Sequence, residues 1–193
     1  SDRAADELRL SREVREASGR PVPANAFVNE ARAQLRLKNR NVALELVDQA
    51  MALVDAGQSP ELSVQANALD VRRRAHFENQ DYEAAAEAAK ACMNINQELG
   101  NADGIGIAEV GLALALIGAG RVEEAGVQAR SSLDRNLRSG NATGQASALW
   151  ALAQAESAAR ERTKSKELAA TALVVAEDAR NTPLANAIRR WIE

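Results

Sequence analysis

The sequence predicts an all-α protein, a solenoid built from antiparallel helix pairs. Three observations carry that expectation: apolar content made of small and aliphatic side chains, turn signals that recur every 40 residues, and prolines confined to helix starts and loops. Of the 193 residues 46% are hydrophobic but only 3% are aromatic, so the core must be Ala, Leu and Val. That mixture suits helices that approach closely through small side chains.

The repeat is read from Leu99-Gly100-Asn101-Ala102, Ser139-Gly140-Asn141-Ala142 and Ala179-Arg180-Asn181-Thr182, which stand 40 residues apart. Met93, Leu133 and Leu173 follow the same spacing, as do the pairs Ala108 and Ala148, Leu112 and Leu152, and Ala113 and Ala153. A second turn signal falls inside each unit, at Glu78-Asn79-Gln80-Asp81, Gly118-Ala119-Gly120-Arg121 and Ala158-Ala159-Arg160-Glu161. Each unit is thus helix, tight turn, helix.

The elements follow in order. An initial helix at 2–18 reads as the second helix of a preceding repeat. The first pair, 23–38 and 40–56, starts at Pro23, turns at Lys38-Asn39-Arg40-Asn41 and stops at Gly57. The second, 60–78 and 81–99, starts where Ser59 caps and Pro60 takes the first helical position, a place that needs no N–H, and stops at Gly100. The third, 102–118 and 121–139, is capped by Asn101 or Asp103, with Gly120 and Gly140 as stops. The fourth, 142–159 and 162–179, is capped by Asn141 or Thr143. A last helix, 183–192, starts at Thr182-Pro183. The domain organisation expected is one repeat domain over 1–193, with repeats near 23–58, 59–100, 101–140 and 141–181 and flanking helices at 2–18 and 183–192. A start without Met, and Trp191 and Ile192 at the other end, predict a part of a longer protein.

Composition also excludes function classes. The apolar run from Ile105 to Gly120 is too short, and too interrupted by Glu109, to span a bilayer. A net charge of −3 without long single-sign blocks gives no footprint for nucleic acid or anionic lipid. One Cys rules out an internal disulfide and suits a reducing compartment, so a cytoplasmic location is the expectation.

The segment Gly140-Asn141-Ala142-Thr143-Gly144-Gln145-Ala146-Ser147-Ala148-Leu149-Trp150-Ala151-Leu152-Ala153, followed by Arg162-Thr163-Lys164-Ser165-Lys166-Glu167-Leu168-Ala169, resembles a tetratricopeptide repeat of the longer, 40-residue bacterial type. Asp81-Tyr82-Glu83-Ala84-Ala85 and Gly120-Arg121-Val122-Glu123-Glu124-Ala125 resemble its inner turn. The family's small residues fall on Ala31, Ala113 and Ala153 in first helices. In second helices they fall on Ala43, Ala85, Ala125 and Ser165, and on Ala50, Cys92, Ser132 and Ala172. The departures are Arg73 at a small position and Glu30, Arg72 and Glu109 at apolar ones. The resemblance implies a right-handed superhelix of about four full repeats plus a helix at each end, with no shared catalytic site.

It also implies a ligand- or peptide-binding concave face lined by first helices. The family's inner positions fall on Asn25, Val28, Asn29 and Arg32, then Asn67, Asp70 and Arg74, then Ile107, Val110 and Leu114, and last Ser147, Trp150 and Gln154. Such a face is polar with arginines at one end, aliphatic in the middle and aromatic at the other. Arginines can pair with carboxylates and a Trp can anchor an apolar group, so the partner expected is a protein or extended peptide segment with acidic and apolar groups. Trp150 and the aliphatic residues have a second reading, packing against a neighbouring helix.

No catalytic constellation is present, and neither a cofactor nor a metal is expected. His76 stands without a nucleophile or a second imidazole, and metal sites need several converging ligands. Cys92 sits at a small position on a buried face. Gly104-Ile105-Gly106 lacks the preceding strand and following Lys of a phosphate loop. Asn141-Ala142-Thr143 matches a glycosylation sequon but falls where caps belong, and Arg72-Arg73-Arg74 diverge around their helix by about 100° a step. Binding through the concave face is the function expected. A sensory or regulatory module of a larger bacterial signalling protein or transcriptional regulator, and self-association through the terminal helices, are the alternatives.

Overall fold

The structure, a computed structural model, describes residues 2–57 and 61–193. Among the described residues it holds ten α-helices and no strand. They fall into two compact units, Ser1–Leu99 and Gly100–Glu193.

The first unit holds α1 (Asp2–Ala17), α2 (Ala24–Arg36), α3 (Arg40–Asp55), α4 (Leu62–Glu78) and α5 (Tyr82–Glu98). Helices α2, α3 and α4 share a core of Ala24, Phe27, Val28, Ala31, Leu35, Ala43, Leu46, Val47, Ala50, Val64, Ala68, Val71 and Ala75. These recur at helical spacing on each element, so each helix turns one apolar stripe inward. Helix α5 packs on α4, and its Ala85, Ala86, Ala88 and Ala89 are all buried.

The second unit holds α6 (Ala102–Gly118), α7 (Val122–Ser139), α8 (Ala142–Ala158), α9 (Arg162–Asp178) and α10 (Thr182–Ile192). Each helix packs on its neighbour in sequence, and first helices α6 and α8 also touch. Ala146, Ala153, Ala169, Ala172, Ala176, Ala185 and Ile188 make a core of α8, α9 and α10.

A left-handed residue ends the helix before each turn. Lys38, Gln80, Gly120 and Arg160 hold positive φ at inner turns, and Gly57, Gly100, Gly140 and Arg180 at outer ones. Only glycine takes that conformation without a steric penalty, so four of these turns hold a residue against its preference. At four of these turns the residue after the left-handed one caps the next helix with its side chain, whereas Asn39, Arg121 and Glu161 make no such bond. Asp81, Asn101, Asn141 and Asn181 accept from the N–H of Ala84, Gly104, Gly144 and Leu184. Of the alternatives for the middle units, Asn101 and Asn141 are the caps. At the last helix the cap is Asn181 rather than Thr182, and Pro183 is the second helical residue, because Asn reaches the N3 amide one residue earlier. The expected cap at Ser59-Pro60 lies outside the described residues.

Each departure from the repeat pattern has a charged partner. Glu30 is 2% exposed and accepts from Arg12 Nε of α1 at 2.8 Å, while the Arg12 guanidinium lies over the Phe27 ring. That hydrogen bond raises the Arg12 pKa above its ordinary value against the opposing effect of burial. Glu109 is held between α6 and α7 by Ser131 Oγ at 2.7 Å and Arg135 at 3.2 Å. Arg72 pairs with Asp48 of α3 at 2.5 Å. Arg73 folds back on Asp70 at 2.6 Å, and the charges of both reach Cys92 of α5.

Candidate functional site

In the first unit, α2 and α4 lie side by side and present one polar face. Asn25, Asn29 and Asn67 are exposed and Arg32 is half-buried. Arg32 Nη2 donates to Asn67 Oδ1 at 2.6 Å, which joins the two helices and holds the guanidinium in place. Arg74 is exposed, and so is Arg36, four residues after Arg32 on the same stripe. Sequence reasoning missed Arg36, although the i,i+4 spacing signals it. Val28 is not on this face. It is 2% exposed in the core of the first unit, because positions 24, 27, 28, 31 and 35 form the inward stripe of α2 while 25, 29 and 32 form the outward one.

The charge of this face differs from a count of its residues. Asp70 accepts from Arg73 Nη2 at 2.6 Å and Nε at 3.2 Å, so its charge is compensated within α4. Among the described residues no acidic group pairs with Arg32, Arg36 or Arg74.

In the second unit, α6 presents Ile107, which is 60% exposed, with Val110 and Leu114 half-buried on the same stripe. Apart from Asp103 and Glu109 this helix is apolar around its circumference, a pattern that belongs to a buried helix, yet one stripe stays open. Ser147, Trp150 and Gln154 of α8 are half-buried, and Ser147 Oγ donates to the Thr143 carbonyl within its own helix at 3.0 Å. Trp150 packs on the α8–α10 core and meets Trp191 of α10 edge to face, centroids 5.1 Å apart. Its packing reading is therefore the one the geometry favours. Trp191 was not among the expected site residues.

The groups considered for chemistry are all engaged in structure. His76 Nδ1 stands 3.2 Å from Asp81, the α5 cap. Cys92 is buried, with its thiol pKa pushed up to about 11 by burial, so it is neutral and unreactive near pH 7. Its Sγ donates to the Ala66 carbonyl at 3.4 Å. Forty residues on, Ser132 Oγ donates to the Gly106 carbonyl at 3.0 Å. Gly106 is thus a point of close helix contact. Among the described residues no three potential metal ligands converge, and no helix is long and apolar enough to cross a membrane.

No protein-family model matches the chain, and no curated protein sequence does. Solved structures do. A variant of the nearly identical TPR-like repeats from a Podosopora anserina protein described as a kinesin light chain superposes with a TM-score of 0.76 at 18% identity, over 93% of this chain and 88% of that one. The fold is tetratricopeptide-like. The apo form of RapI shares this tetratricopeptide-like arrangement at a TM-score of 0.72 and 16% identity, over 91% of this chain. A Rap protein complexed with competence and sporulation factor matches at 0.71 and 13%, over 80%. This chain spans 49% and 43% of those two Rap chains.

Proposed function

We propose that the chain is a protein-interaction scaffold whose first-helix faces bind extended segments of a partner. The observation that carries this reading is the open stripe of α6. Leaving Ile107, Val110 and Leu114 in contact with water forgoes roughly 1 kcal/mol or more for each well-exposed aliphatic side chain, which a partner's apolar group would recover. The α2/α4 face supplies the second specificity, since Arg32, Arg36 and Arg74 have no acidic partner among the described residues and suit a segment carrying carboxylates. The Rap structure complexed with competence and sporulation factor supports a binding role for repeats of this form. A regulatory module of a larger signalling protein is the second reading, supported by the likeness in fold to the Rap structures.

Selection of displayed random peptides on the immobilised chain tests this. Enrichment of peptides in which Asp or Glu accompanies aliphatic residues is expected. Binding should fall at least about tenfold with Arg32→Ala plus Arg74→Ala, or with Ile107→Asp. No enrichment, or binding indifferent to both variants, would overturn the reading.

A further inference from the structure

Part of the positive charge of the α2/α4 face depends on a residue that does not lie on its outward stripe. Asp70 lies between Asn67 and Arg74 on the α4 part of that stripe, with its side chain 24% exposed, and would add a negative charge to the face that carries Arg32, Arg36 and Arg74. Arg73 prevents this. Its side chain is only 12% exposed, and two of its N–H groups converge on one Asp70 oxygen, at 2.6 and 3.2 Å.

The placement of Arg73 has a cause in sequence. At the corresponding positions in the other first helices stand Ala31, Ala113 and Ala153, each fully buried. The helix that packs on α4, α5, is alanine at 84, 85, 86, 88 and 89, side chains small enough to leave room for a longer one opposite. Burying the stem of an arginine without an acid nearby would be unfavourable, and Asp70 one turn earlier supplies that acid. Arg73 and Asp70 therefore form a self-contained neutral pair, and the net charge of the face is left to the other three arginines.

We infer that Arg73 is a charge-masking, specificity-determining residue: by neutralising Asp70 it sets the α2/α4 face to accept anionic segments. This rests on the binding function proposed above and names the chemistry by which one face selects its partner. Arg73 acts through Asp70 and does not itself touch the ligand.

The probe is a fluorescein-labelled oligo-glutamate peptide, followed by anisotropy at low and high salt with the full chain. The variants are Arg73→Gln, which keeps most of the stem, Asp70→Asn, and the two combined, each checked for wild-type helicity by circular dichroism. Arg73→Gln exposes an unmasked carboxylate and should weaken binding roughly three- to tenfold at low salt, the range for one unit charge near a surface, with the difference shrinking at high salt. Asp70→Asn should tighten binding, and the double variant should return to within about twofold of wild type, since each change cancels the other's charge. A packing role for Arg73 predicts otherwise: the double variant would stay as weak as Arg73→Gln. That result, or an unchanged Arg73→Gln, overturns the masking role alone. If wild type binds no oligo-glutamate, or binds it regardless of Arg32→Ala and Arg74→Ala, the reading of the face fails and the masking role with it.

Discussion

At the scale of single residues, the most constrained place is the buried amide of Asn136. Its Nδ2 donates to the Ser132 carbonyl at 2.7 Å and lies 3.2 Å from Ser132 Oγ, which fixes the side chain between α7 and its neighbours. A Cβ at Gly144 would overlap that amide, and one at Gly106 would stand 3.0 Å from it. Gly144→Ala should therefore destabilise the protein by about 1–3 kcal/mol, read from the urea midpoint. Combination with Asn136→Ala should remove most of the additional loss, because the clash partner is gone; an unchanged loss in the double variant would place the strain elsewhere. Ser132 was legible as a small repeat position, but Gly106 and Gly144 were not, because their closeness to Asn136 arises only when α6, α7 and α8 pack. Glu30 and Glu109 were not: their partners Arg12 and Arg135 stand 18 and 26 residues away on other helices, and only packing brings each pair together. Asp70 and Arg73 are three residues apart, but their pairing depends on side-chain conformations that spacing permits without requiring.

At the scale of elements, the helix ends were the most legible feature, because at most turns a left-handed residue is followed by Asn or Asp, with Gly120-Arg121 and Arg160-Glu161 among the exceptions. How α1 docks was not legible. It packs on α2 and buries Ala5, while Leu10 and Val14 stay 51% and 66% exposed, so little apolar area holds it. The Arg12–Glu30 pair is then a main attachment. Arg12→Met would leave Glu30 buried without its cation, a change of about 3–5 kcal/mol where such pairs have been broken. The expected outcome is detachment of α1 before global unfolding, seen as rapid proteolysis between residues 3 and 20 in an otherwise folded chain. Arg12→Met with Glu30→Leu should restore protection. Equal protease resistance in Arg12→Met and wild type would show that apolar contact alone holds the helix.

At the scale of the whole molecule, the periodicity read from the sequence is the periodicity of the fold, since the 40-residue marks fall at turns, at buried positions such as Ala108 and Ala148, or, for Met93, Leu133 and Leu173, at half-buried ones. Each unit has its own buried core, one centred on α2, α3 and α4 and one on α8, α9 and α10. Segments 1–99 and 100–193 produced separately should each be helical and melt cooperatively, as nearest-neighbour stabilisation of repeats implies. A segment without a melting transition would show that its core is insufficient alone. The faces were less legible than the fold. Solenoid packing fixes which residues point outward, but the charge and openness of a face depend on what its side chains bind, as the Trp150–Trp191 contact shows.

The bond from Ser132 to the Gly106 carbonyl, with Asn136 wedged toward Gly106 and Gly144, ties together residues from three helices and two successive repeats. Not every member of that set can drift alone: a larger residue at Gly144 meets the amide, and loss of the amide leaves a void where both glycines stand. One repeat earlier Asn96 and Cys92 make the same bonds with Ala66 at the place of Gly106, so that position accepts a methyl group, and over evolutionary time Asn136 and Gly144 are the pair expected to change in concert.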